Sequence, residues 1–179
     1  MINKDNKIGF IGAGNMASAL ISGLVNAQKN PNLIMASSPE DNHLESLSSE
    51  FGILTTKNNV EIAENCEIIL LAVKPAQIKS VCTQLKPLIE EQPLIISIAA
   101  GVNSLKIKQY LGGYSKNKFV RAMPNLCAKK AKAITGLFGD PDSFGKKGGT
   151  IYAHAVNKIF TPIGQVLWVE QESALDTVT

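Results

Sequence analysis

The run Ile8-Gly9-Phe10-Ile11-Gly12-Ala13-Gly14-Asn15-Met16-Ala17 joins an apolar, strand-like stretch to a glycine turn and then to a helix. Few folds accept that order. A G-x-G-x-x-G/A spacing directly after a strand and at the mouth of a helix is the fingerprint of a dinucleotide pyrophosphate site, and Gly12, Gly14 and Ala17 occupy its small positions. Gly12 permits the tight turn, Gly14 lets backbone come up to phosphate with no Cβ between them, and Ala17 lets helix and strand pack closely. The N–H groups at the helix start then offer partial positive charge to an anion without using a lysine. The bland alternative is a turn shaped by glycine for structural reasons alone; the strand before it and the helix after it favour binding.

The pattern that follows repeats strand and helix. Met16, Ala19, Leu20, Gly23, Leu24 and Ala27 recur at helical spacing, and Asn30-Pro31 ends the run before a short strand from Leu33 to Ala36. Ser38-Pro39 is expected to open a second helix carrying Leu44, Leu47 and Phe51, with Gly52 as its stop and Ile53-Leu54-Thr55 as a third strand. Asn58 or Asn59 can cap a short helix through Ala63, and Ile68 to Val73, apolar on both faces, reads as a central parallel strand. Pro75 suits a first helical position, with Ile78, Val81, Cys82 and Leu85 as the apolar stripe and Pro87 as the bend or end. Leu94 to Ala99 is the next strand, Gly101 a turn, Asn103 or Ser104 a cap for a helix to Leu111, Gly112-Gly113 its stop, and Lys118 to Met123 another strand. Beyond Pro124, Ala133 to Phe138 reads as a strand, Phe144 to Ile159 as a helix, Gln165 to Val169 as a last strand, and Glu172 to Thr179 as the start of a helix. The fold class is therefore α/β: a Rossmann-type, doubly wound, mainly parallel sheet with helices on both faces and extra edge strands near the C-terminus.

Composition narrows the partners. A length of 179 residues, 45% of them apolar, suits one globular domain with a real core, and a net charge of +3 is small. The lysines gather only at Lys129-Lys130 with Lys132 and at Lys146-Lys147, which is no nucleic-acid stripe but a solvated face. No stretch reaches the length of a membrane span, and the polar Met1 to Lys7 before the first strand is not the order of a signal peptide, so a cytoplasmic location is expected. Cys66, Cys82 and Cys127 are odd in number, lack C-x-x-C spacing and lie in or beside apolar segments, which reads as buried reduced thiols. His43 and His154 are too far apart for a local metal motif.

The second strand bears on the cofactor. An Asp or Glu at its end would hold a ribose 2′-hydroxyl and favour NAD, whereas Met35-Ala36-Ser37-Ser38 offers hydroxyls and no carboxylate, which points to NADP. No arginine stands beside them, and the serines would equally serve as a helix cap. Ala72-Val73-Lys74-Pro75 and Ala99-Ala100-Gly101, at the ends of later strands, should face the same crevice. A lone Lys74 at a strand end is more often solvated than a phosphate contact.

Several ordered stretches together point further: Gly9 to Ala17, Met35-Ala36-Ser37-Ser38-Pro39, Ala72-Val73-Lys74-Pro75, Ala99-Ala100-Gly101-Val102, Arg121-Ala122-Met123-Pro124-Asn125, Trp168-Val169-Glu170, and Ala174-Leu175-Asp176-Thr177-Val178-Thr179. Through them the chain resembles the pyrroline-5-carboxylate reductases along nearly its whole length. The resemblance implies NADPH-dependent reduction of the cyclic imine 1-pyrroline-5-carboxylate to proline in proline biosynthesis, with NADH as the other possible donor. It implies that Ile11, Gly12, Ala13, Gly14, Asn15 and Met16 contact the pyrophosphate, Ser37 the adenosine ribose or its phosphate, and Asn59 the adenosine side. Ala72, Val73, Lys74 and Pro75, with Ala99, Ala100 and Gly101, would line the rest of the groove. A protonated C=N accepts hydride readily, so the task is orientation, no nucleophile or metal is required, and no catalytic residue is assigned.

The chain departs from the family in two places. Relatives usually continue Met-Pro-Asn with Thr-Pro, where this sequence has Leu126-Cys127 and then the lysine-rich Ala128 to Lys132. Relatives also go on past the region of Thr177-Val178-Thr179 into a Ser/Gly-rich loop and a helical domain that forms the dimer and most of the substrate pocket. Residues 1–170 are thus expected to be the NAD(P)-binding domain and 171–179 the start of a connection to a helical domain outside this sequence, leaving the chain weak or inactive alone and its oligomeric state open. Two other readings stand beside this one. A β-hydroxyacid or coenzyme F420-linked oxidoreductase is disfavoured by Met-Pro-Asn and Trp-Val-Glu, and a non-catalytic dinucleotide-binding module is favoured by the missing helical domain.

Overall fold

The computed structural model describes residues 6–89, 93–113, 118–139, 144 and 150–177. In chain order the strands are β1 (Ile8–Ile11), β2 (Ile34–Ser37), β3 (Leu54–Thr56), β4 (Ile68–Leu71), β5 (Leu94–Ser97), β6 (Phe119–Pro124), β7 (Ala133–Gly139) and β8 (Gly164–Trp168). The helices are α1 (Asn15–Asn26), α2 (Asp41–Phe51), α3 (Asn59–Asn65), α4 (Ile78–Leu85), α5 (Ser104–Tyr110) and α6 (Ile151–Phe160). One eight-stranded sheet runs β3-β2-β1-β4-β5-β6-β7-β8. The pairs from β3 to β6 are parallel, β6 and β7 are antiparallel, and β7 and β8 are parallel to each other.

Alternation along the strands builds two cores. Ile8, Phe10, Ile68, Leu70, Leu94 and Ile96 pack on one face under Leu20 and Leu24 of α1, Leu44 and Leu47 of α2, and Val156 and Ile159 of α6. Ile11, Ile69, Leu71 and Ile95 pack on the other under Ile62 of α3, the stripe Ile78, Val81, Cys82 and Leu85 of α4, and Ile107 of α5. A strand buried on both faces reads as an unbroken apolar run, which is why β4 and β5 were plain in the sequence. The doubly wound sheet and its late edge strands are as expected.

Element ends differ in detail. Leu33 belongs to a 3-10 turn, Pro31–Leu33, because Asn30 caps it by accepting from Asn32 N–H, so the strand begins at Ile34. Helix α2 begins at Asp41, since Ser38 Oγ accepts from the Glu40 N–H and closes a turn first. Pro75 opens a 3-10 turn, Pro75–Gln77, that leads into α4. Asn58 and Asn103 are the caps of α3 and α5, accepting from Val60 N–H and Lys106 N–H. Of the helix expected from Phe144, residues 145–149 lie outside the described set, and α6 is capped by Thr150. The end segment forms a 3-10 turn, Glu172–Thr177, in place of an α-helix start. It is packed rather than trailing: Leu175 is buried and Glu172 bonds to Ser104 and Arg121. No helix among the described residues is long and apolar enough to cross a membrane.

Candidate functional site

The glycine turn is pinned from both sides. Gly12 N–H donates to Ser37 O at the end of β2 (2.9 Å), and Ala72 N–H, just past β4, donates to Ile11 O (2.8 Å). Gly12 has φ +106, a region that L side chains rarely adopt, and a Cβ there would stand 2.5 Å from Ala72 O. Both facts require glycine.

Gly14 is different. It is the N-cap of α1 in an extended conformation, its carbonyl accepts from Ser18 N–H (2.9 Å), and a Cβ built on it would meet no atom within 4 Å. The space in front of Gly14 is therefore open, a cradle one carbon would begin to fill. Gly14 supplies no side-chain cap and α1 has no acidic residue in its first turn, so the positive end of its macrodipole faces that space without a carboxylate to neutralise it. Ala13 and Ala17 are buried beneath the turn, Met16 is half-buried against the core and Asn15 is exposed.

At the end of β2 the structure engages both serines internally. Ser37 has no exposed surface; its hydroxyl lies 3.4 Å from Phe10 O and donates to Asn59 Oδ1 at 2.7 Å. Asn59 in turn donates through Nδ2 to Gln84 Oε1 (3.0 Å), so a polar chain ties β2, α3 and α4 together. Ser38, almost buried, accepts from Glu40 N–H (3.1 Å) and donates its own N–H to Thr56 O (3.2 Å). The carboxylates that follow have basic neighbours: Glu40 Oε2 lies 3.4 Å from His43 Nδ1, and Asp41 2.7 Å from the Lys57 ammonium.

The ends of β4 and β5 reach the same edge. Ala72 and Val73 are half-buried, Lys74 is exposed with its N–H donating to Gln77 Oε1 (3.2 Å), and Pro75 starts the 3-10 turn. Ile98 N–H donates to Leu71 O (3.2 Å), which sets Ala99, buried, and Ala100 and Gly101, exposed, beside the end of β4. Hydrogen bonds thus run without a break from Asn59 through Ser37, the glycine turn and β4 to the Ala99 segment. Every residue expected from sequence to contact the cofactor lies along this edge. Gln84 and Lys57 were missed. Gln84 carried no signal, being one polar position on the exposed side of an amphipathic helix, whereas Lys57 directly follows a strand, the same sign that drew attention to Lys74.

Other groups lie apart from this edge. A cavity of about 780 Å³, with Ile8, Leu24, Lys29, Ile68, His154 and Lys158 among its walls, opens at the amino ends of β1 and β4, opposite the glycine turn. Cys66 and Cys82 are buried, and burial pushes both thiols up to about 12, helped at Cys66 by the nearby Glu67 carboxylate. Both stay protonated and inert. Cys127, expected to be buried, is exposed: Asn125 Oδ1 accepts from Cys127 N–H (3.2 Å) and shapes a surface 3-10 turn, Leu126–Lys130, that turns the thiol outward.

A family model described as NADP oxidoreductase, coenzyme F420-dependent, matches residues 7–101, more than half of the chain. The chain belongs to this family. Within it the likeness to pyrroline-5-carboxylate reductases, expected from the motifs, is borne out. That of Vibrio alginolyticus is 36% identical over 177 residues, covering 96% of this chain and 61% of the relative. A solved pyrroline-5-carboxylate reductase from Coxiella burnetii superposes with a TM-score of 0.90 at 33% identity, over 97% of this chain and 62% of that one. The Plasmodium falciparum pyrroline carboxylate reductase, solved with NADP bound, gives 0.80 at 29% identity, over 97% and 60%. The family model stops near Gly101, whereas these relatives also match the stretch holding Met123-Pro124-Asn125. The chain spans about three fifths of the length of the curated relatives it matches.

Proposed function

We propose that this chain holds NADPH for the reduction of 1-pyrroline-5-carboxylate to proline. The observation that carries the reading is the glycine turn, fixed between Ser37 and Ala72, with open space before Gly14 and the uncapped start of α1 behind it. When bound, NADPH supplies the hydride that the imine carbon accepts.

The chain's own residues orient and enclose. The backbone of Ile11 to Met16 receives the pyrophosphate at the positive end of α1. Asn59, half-buried and held by Ser37 and Gln84, is the polar side chain for the adenosine ribose, and Ser37 acts through it, its own hydroxyl being out of a ligand's reach. Ala72 to Pro75 and Ala99 to Gly101 are small or backbone-rich walls that let the nicotinamide half lie along the sheet edge. Holding the reacting carbons together is the main contribution asked of the protein. In this reading residues 1–170 are the cofactor unit, and the segment from 171 connects it onward to a helical substrate-binding part while latched back through Glu172. A cytoplasmic setting is part of the same reading.

Titrating NADPH by its fluorescence while following pyrroline-5-carboxylate-dependent loss of its absorbance tests both halves. Saturable NADPH binding by the chain, with turnover weak or absent alone and appearing once it is joined to a helical substrate-binding part, is the expected result. Failure to bind NADPH would remove the cofactor reading; binding with no turnover in either form would leave a dinucleotide-binding module.

A further inference from the structure

A 2′-phosphate at the end of β2 brings between one and two negative charges at neutral pH, and the groups standing there do not welcome it. The Ser37 hydroxyl donates to Asn59, the buried Ser38 hydroxyl accepts from Glu40 N–H, and the first charged side chains after them, Glu40 and Asp41, are carboxylates. Discrimination between NADPH and NADH therefore needs a cation that the loop after β2 does not supply.

The neighbouring strand supplies one. β3 runs parallel to β2 with Thr56 opposite Ser37, and Ser38 N–H donates to Thr56 O (3.2 Å), so the residue that follows Thr56 leaves the sheet beside the ribose end of β2. That residue is Lys57. Its ammonium lies 2.7 Å from Asp41 Oδ1 and 2.9 Å from Oδ2, and both side chains are 61% exposed. The other basic side chains nearby are poorly placed for the role. His43 faces Glu40, and Lys74 follows β4, which lies across β1 from β2.

We propose that Lys57 is the residue through which this chain prefers NADPH, leaving Asp41 to meet the 2′-phosphate. The inference rests on the NADPH reading above. An ion pair in solvent holds its members weakly, so Asp41 gives up Lys57 to a phosphate of greater charge at little cost. With NADH no such competitor arrives, and Lys57 stays on Asp41. Asp41 is thus the brake and Lys57 the selector.

Lys57→Gln and Asp41→Asn, both at exposed positions, separate these roles in titrations of the purified chain with NADPH and with NADH. Lys57→Gln should weaken NADPH about tenfold at low salt while leaving NADH within about twofold. Asp41→Asn should tighten NADPH and leave NADH unchanged, and added salt should shrink both effects, as it does for exposed charges. Equal losses of both cofactors in Lys57→Gln, or no loss of NADPH, would overturn the proposal while the wild-type chain's binding still upheld the cofactor reading. A wild-type chain that bound neither nucleotide would overturn both.

Discussion

Arg121 donates through Nη1 to Oε1 of Glu172 at 3.1 Å, joining the middle of β6 to a carboxylate 51 positions later. The arginine side chain is 5% exposed and the glutamate 21%. The same carboxylate accepts the N–H and the hydroxyl of Ser104, each at 2.7 Å, so one side chain closes the start of α5 and holds down the end segment. Removing one partner of a buried pair costs far more than the pair contributes, because a desolvated charge is left behind. Glu172→Ala should therefore lower the unfolding free energy by about 3 kcal/mol, with Glu172→Gln losing less because it keeps an acceptor. Urea unfolding curves measure it; an unchanged midpoint for the alanine variant would show that the latch contributes nothing.

The two glycines of the turn should fail in different ways. Gly12→Ala forces a positive φ on an L side chain and drives Cβ into the Ala72 carbonyl, so it should lose about 1–3 kcal/mol of stability together with NADPH binding. Gly14→Ala meets neither obstacle, since its backbone is extended and its Cβ would point into open space. Its stability should change by no more than about 1 kcal/mol, the cost of alanine at an N-cap, while NADPH affinity falls sharply. Thermal melts beside cofactor titrations check the split, and a Gly14→Ala chain that still bound NADPH normally would mean that the space is not the pyrophosphate cradle.

In the NADPH reading proposed above, Ser37 acts on the cofactor through Asn59. Ser37→Ala and Asn59→Ala should each weaken NADPH several-fold, and the double variant should be little worse than either single one, because both remove the same interaction. Additive losses would show two independent contacts. Ser37→Glu is unsuitable as a test of nucleotide choice, since it would bury a carboxylate where no solvent reaches.

The cysteines predict an alkaline weakness. Cys66 and Cys82 ionise near 12 in the folded chain against a usual 9.0, so above about pH 9 the unfolded chain sheds protons that the folded one retains. The thiols leave stability unaffected below that point and reduce it progressively from about 9 to about 12. Urea midpoints across this range should fall less steeply in a Cys66→Ala, Cys82→Ala variant. An aromatic disulfide reagent at mildly alkaline pH should label Cys127 quickly and the other two only on unfolding; rapid labelling of all three would contradict the burial.

Much of this was legible in the sequence because it depended on neighbours in sequence. The glycine turn, the apolar runs of β4 and β5 and the caps Asn58 and Asn103 are local patterns, and the structure keeps them. The direction of β7 was not legible. The pattern of Ala133 to Gly139 carries no sign of the strand's direction, and the antiparallel return goes with the short link from Asn125 to Lys132, which holds a 3-10 turn and no α-helix. Ser37 shows the same limit within the site. Its place at a strand end could be read, but the partner that took its hydroxyl lies 22 positions away on α3. Cys127 misled through its neighbours, since the apolar Leu126 and Ala128 that flank it do not decide which side of a turn faces water.

The reversal between β6 and β7 has a practical side for anyone wishing to watch this molecule work. Because β6 runs parallel with β1 and β4, its carboxyl end and the turn that carries Cys127 come out on the edge where Gly12 and Gly14 stand. The described structure thus offers one accessible thiol on the edge that carries the glycine turn and keeps the others shut away. A dye or spin label attached at that point needs no engineered cysteine and sits on the same edge as the proposed cofactor groove.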